Sequence, residues 1–193
     1  MDWLLFTYWL PAEPSRKRVF VWRQLKKLGA LSMEGAGWLI PNAEPFAMKI
    51  KDIYKSVEEL EGTANLYSVS DFSEAQEQRA IQRFQHERDR EYAEIIKECH
   101  KMLRHMERER QHQEFNFEEV QELEGDLEKI NRWLAEARER DFWDVATREE
   151  VEELIREAET GLAAFTQETF ERMQNLEPEN GKDTDIDNIE RRN

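Results

Sequence analysis

Eight consecutive apolar or β-favouring residues, Trp3 to Leu10 (WLLFTYWL), run up to Pro11 in a chain where 37% of all residues are charged. A run so short and continuous fits a central strand buried on both faces. It places a sheet at the start of the chain, and the segments that follow supply its partners. After the turn AEPS, residues 15–28 repeat apolar side chains at helical spacing, with Ser15 as the expected N-cap and Gly29 as the left-handed closing residue. Leu31 to Met33 and Trp38 to Ile40 flank EGAG, whose glycines suit a tight hairpin ended by Pro41. A second helix is expected from Ala43 to Leu60, carried by Phe46, Ile50, Ile53 or Tyr54, and Val57, and closed by Gly62. Ala64 to Val69 alternates as a last strand. The order βαββαβ with right-handed crossovers predicts a ferredoxin-like sandwich over residues 1–70. A module of that size buries little core, so its stability is marginal alone.

The rest is helical in pattern. Asp71 or Ser73 caps a segment running to about Gln113, with Ile81, Phe84, Tyr92, Ile95, Cys99, Met102 and Met106 mostly three to four apart. Forty residues of helix would span roughly 60 Å, so this one either breaks or packs on later helices. Asn116 caps residues 117–141, with Phe117, Val120, Leu123, Leu127, Ile130 and Leu134 in register. Thr147 and Glu150 form a capping box for 148–176, which carries Val151, Leu154, Ile155, Ala158, Leu162, Phe165 and Met173. Three such helices over residues 71–177 predict an antiparallel bundle. Residues 178–193 are polar and are expected to be disordered. The fold class is therefore α+β: a ferredoxin-like module, then a long-helix bundle.

Charge singles out one helix. Residues 1–70 hold nine basic and eight acidic groups, whereas residues 71–177 hold sixteen and thirty, and the whole chain carries a net charge of −15. Against that background residues 15–28 have six cations and no acid. Val21, Trp22, Leu25 and Leu28 form the expected inward stripe. Arg16, Phe20, Arg23 and Lys27 fall on another face, flanked by Lys17, Arg18 and Lys26. Arginine and lysine neutralise phosphates with counterion release, and an exposed Phe20 could stack or wedge. Any attraction to nucleic acid must come from this local patch, since the overall field opposes it. The alternative is a solvated helix face.

Other chemistry is poorly provided for. The metal donors are His86, Cys99, His100, His105 and His112, and Glu109 with His112 supplies a single Glu-x-x-His, where di-iron bundles need two plus further glutamates. No metal and no cofactor is expected. There is no nucleophile triad in recognisable context, no Gly-x-Gly-x-x-Gly and no P-loop, so an enzyme is not expected. Trp3, Trp9, Trp22 and Trp38 are assigned to the core of the first module. The Arg138, Arg140 and Asp141 group reads as a capping and docking corner before Phe142 and Trp143, and Glu87 to Tyr92 as a solvated face with modest ion pairs. One cysteine, no basic leader and no apolar run of about 18–20 residues predict a cytoplasmic protein away from membranes.

Four stretches, WLLFTYWLPAEPSRKRVFVWRQLKKLGA, GAGWLIP, RDREYAEIIKEC and LEKINRWLAEARERDFW, in that order, resemble the N-terminal region of the chromate-resistance regulator ChrB family. The resemblance implies a ferredoxin-like, Cas2-like first module and a DNA-binding transcriptional regulator, with the basic helix as the DNA contact. On that basis Arg16, Lys17, Arg18, Arg23, Lys26 and Lys27 are the DNA-binding candidates, Arg16, Arg18 and Arg23 foremost. The implied partner is the operator upstream of its own operon, bound by a homodimer. Full-length members carry a further C-terminal domain associated with the chromate response, where this chain has a polar tail. Two alternatives stay open: an acidic helical scaffold whose carboxylates occupy the cations of the basic helix, and a small-oxyanion sensor binding chromate or sulfate through arginines.

Overall fold

The structure is a computed structural model and describes residues 2–176; the expected polar tail lies outside the described residues. Strand β1 (Trp3–Trp9) is central in a four-stranded antiparallel sheet of order β2-β3-β1-β4, with β2 (Leu31–Ser32), β3 (Trp38–Pro41) and β4 (Thr63–Val69). Helices α1 (Ser15–Leu28) and α2 (Phe46–Glu59) complete the ferredoxin-like order, and α3 (Glu74–His112), α4 (Phe117–Arg138) and α5 (Thr147–Leu176) follow. The α+β class holds, with a short sheet and long helices after it.

Because strand side chains alternate between faces, β1 feeds two cores. Leu4 and Phe6 join Trp38 and Ile40 under Val21, Leu25 and Leu28 of α1 and Phe46, Ile50, Ile53 and Val57 of α2. Trp3 and Leu39 point to the opposite face, where Ala80 and Phe84 of α3 cover them. Trp3 lies 5.7 Å from Phe84 and 6.1 Å from Trp143 between ring centroids, and its indole N–H donates to Glu77 at 3.0 Å. That cover reaches only the start of the strand. At its other end Trp9, paired with Thr63, is 63% exposed, so it is not a core residue as expected.

Contacts divide the described residues into two compact units, one of residues 2–92 together with Glu136–Ala146, the other of Ala93–Ala135 with residues 147–176. The division falls within α3 and near the end of α4. In the first unit, the start of α3 is the second cover of the sheet. The second unit is built from the end of α3, most of α4, and α5. Ile95, Cys99, Met102 and Met106 of α3, Val120, Leu123 and Ile130 of α4, and Val151, Ile155 and Phe165 of α5 are all buried in it. Arg110 donates to Glu168 and to the Gly161 carbonyl across this unit. Phe117 departs from the expected register: it is half exposed at the first position of α4, while the preceding Phe115 stacks on Phe165 at 5.4 Å.

The helix ends follow the expected chemistry in part. Gly29 (φ 80°) closes α1, its N–H reaching the Lys26 carbonyl at 3.0 Å. Ser15, however, is the first helical residue; Pro14 occupies the cap position and no side chain caps that end. Ser73 and Gln76 make a reciprocal capping box for α3, and Asn116 accepts from the Glu119 N–H at 2.9 Å to cap α4. After α2 the left-handed residue is Glu61 (φ 64°), not Gly62. Gly62 serves another need: a Cβ there would sit 2.5 Å from the Trp9 carbonyl oxygen.

Cys99 is fully buried, and burial pushes its thiol up to about 11. Only the thiolate is nucleophilic, so the native protein should react with Ellman's reagent far more slowly than after denaturation. A native rate equal to the denatured one would show that this core opens readily.

Candidate nucleic-acid interface

The buried stripe of α1 is Val21, Leu25 and Leu28. Trp22, expected among them, is 48% exposed. One residue advances about 100° round a helix, which carries Trp22 off the stripe that Val21 anchors. Val19 and Phe20 are also nearly half exposed. The outward side of α1 therefore combines three large apolar side chains with cations.

Those cations differ in their engagement. Lys17 is tied down: its ammonium donates to the Leu60 carbonyl at 3.1 Å and to Glu61 at 2.9 Å, and that bond holds the Glu61 carboxyl below the usual carboxylate range. Lys26 lies 4.0 Å from Glu87 with both side chains about 40% exposed, a contact worth little in water. Lys27 is exposed, and its charge helps Lys49 lower the Glu139 carboxyl. Arg16, Arg18 and Arg23 are exposed and make no ion pair among the described residues. Arg18 is near enough to Tyr8 to offset part of the rise that burial imposes on its phenol. Among the described residues three guanidinium groups are thus left unpaired, on the same helix as the exposed Phe20 and Trp22.

The C-terminal end of α1 is held by the corner that follows α4. Arg140 donates to the Lys27 carbonyl at 3.3 Å and to Glu91 at 3.0 Å, and its side chain fills the space where a Cβ on Gly29 would stand. Asp141 accepts from the Tyr92 hydroxyl at 3.1 Å and from the Val145 N–H at 3.3 Å. Phe142 packs 4.3 Å from Phe46, centroid to centroid. This is the capping and docking corner that residues 138–143 suggest. The segment Glu87 to Tyr92 is not the solvated face expected of its alternating charges, since Arg88 is 4% exposed and Tyr92 fully buried. Arg88 reaches Glu91 at 3.1 Å, while its Nε and Nη1 have no hydrogen-bond partner. Burial lowers its hold on the proton and Glu91 works against that. Nothing in the alternation of charge marks Arg88 as buried; the signal is its place between Phe84 and Tyr92 at four-residue spacing.

An open cleft of about 310 Å³ lies beside α1, lined among others by Gln24, Lys27, Lys49, Asp52, Glu139 and Arg140. Its charges are of both signs, and Lys49 is already bound to Glu139 at 2.8 Å. It offers no set of donors that converge on one ligand.

These features define an α+β protein whose ferredoxin-like module presents an arginine and aromatic helix face. The chain belongs to the family described as Protein ChrB, N-terminal, whose model matches residues 18–176. No curated protein and no solved structure matches it. Among the described residues no helix is long and apolar enough to cross a membrane.

Proposed function

We propose that the protein is a DNA-binding transcriptional regulator linked to chromate resistance, and that α1 is its DNA contact. The observation that carries this is the exposure of Arg16, Arg18 and Arg23 with no acidic partner among the described residues, in a chain where carboxylates outnumber cations by 43 to 28. Guanidinium groups grip phosphates as forks and can read guanine edges, and Trp22 and Phe20 offer stacking or wedging surfaces among them. Lys26 and Lys27 add charge at the other end of the same face. Lys17 contributes less, because Glu61 already neutralises it. Membership of the ChrB family supports the regulatory setting. A scaffold that used the acids of its helical bundle to occupy this helix would engage the arginines as well, and among the described residues they make no ion pair.

The test is binding of the DNA upstream of the protein's own operon, with the complex's stoichiometry read alongside for the proposed dimer. Three or more phosphate contacts require a log–log salt slope of about −3 or steeper. Absence of binding at low salt would remove the proposal.

A further inference from the structure

The last turns of α3 and the first turn of α4 bring together three metal-ligating side chains. His105 and Glu109 are four residues apart on α3 and so share one face. Glu119, near the start of α4, meets them across the short connection. His105 Nε2 lies 3.4 Å from Glu109 Oε1 and 3.1 Å from Glu119 Oε2, and one ligand atom from each residue falls within 4.8 Å of the others. Donors around a tetrahedral zinc ion, each at about 2.0–2.2 Å, stand roughly 3.3–3.6 Å apart. The two separations from His105 are close to that edge length.

Glu109 is 3% exposed, and Glu119 Oε2 is a buried oxygen with no hydrogen-bond partner among the described residues. His105 is near enough to satisfy that oxygen, yet the two make no aligned hydrogen bond. A buried carboxylate oxygen without a donor is costly, and a metal ion at the centre of the three would remove the cost. Arg108 donates to Glu109 Oε1 at 2.7 and 2.9 Å, which holds that carboxylate in place. We propose that His105, Glu109 and Glu119 form a site for a divalent zinc-like cation, with a fourth position for water. Such an ion would fasten the α3–α4 hairpin. The spacing weighed from sequence, Glu109 with His112, is not the one that assembles. The pair is Glu109 with His105, and the third ligand comes from a helix that sequence spacing does not align with it. This site is separate from α1 and does not depend on DNA binding.

The full chain, stripped of metal with a chelator, is titrated calorimetrically with zinc chloride, and the cobalt(II) absorption spectrum is recorded. One saturable equivalent is expected, with the strong visible bands of tetrahedral cobalt and a higher melting temperature when loaded. His105→Ala and Glu119→Gln should each weaken binding at least tenfold, while His112→Ala leaves it unchanged. Glu119 is partly exposed, so its glutamine variant retains the fold; circular dichroism checks this. Weak binding without stoichiometry, a cobalt spectrum of water-like intensity, or equal affinity in His105→Ala or Glu119→Gln would each overturn the assignment.

Discussion

Reversing Arg18 and Arg23 together to glutamate should cost DNA binding about 2–6 kcal/mol, a loss of thirtyfold or more, and should flatten the salt slope by roughly 2. Both side chains are exposed and make no ion pair among the described residues. The fold should therefore be unaffected within about 0.5 kcal/mol, the usual range for surface changes. Fluorescence anisotropy on the operator DNA and a thermal melt of the same sample read the two effects separately. Lys17→Gln is the informative comparison: its ammonium is spoken for by Leu60 and Glu61, so the loss of DNA affinity should be smaller than for either arginine. If the double reversal binds like the wild type, α1 is a solvated helix face and the contact lies elsewhere.

Trp3→Ala should be the most damaging single truncation in the first unit, at about 3–5 kcal/mol. Trp3 has no exposed surface, packs against Phe72, Phe84 and Trp143, and donates its indole N–H to Glu77. Removing it empties the space between the sheet and α3 and leaves Glu77 without that donor. Trp9→Ala, on the same strand and the same face, should change stability by no more than about 0.5 kcal/mol, because Trp9 is largely in water. Chemical denaturation of the two variants gives the comparison directly. Equal losses would mean that the two ends of β1 are covered alike, contrary to the packing of α3.

The contrast between those two tryptophans shows how much could be known in advance. Alternation and turn residues are local, and they suffice for the strand and helix order of the first seventy residues, with Gly29 at the close of α1, and for the caps Ser73 and Asn116 at the starts of α3 and α4. They do not tell which stretch of a two-faced strand receives a second cover. Apolar character places Trp9 inward and helical spacing does the same for Trp22, yet the one lies on a strand face that α3 leaves open and the other about 100° from the buried stripe. Arg88 went the opposite way, a charged residue drawn inside because it sits between two buried aromatics on α3 and opposite Arg140 and Asp141. A charge pattern along one helix carries no information about the groups that another segment brings against it.

By itself, then, the order of residues determined that an apolar eight-residue strand would be central, that βαββαβ would close around it, that long amphipathic helices would follow, and that six cations would gather on one helix. Each of these depends on neighbours within a few positions. Tertiary structure decided the rest: which of those cations keep free guanidinium groups, that Arg140 would hold the end of α1, and that Glu119 would meet His105 and Glu109. These depend on distances between segments far apart or on different helices, where packing rather than spacing sets what each side chain meets.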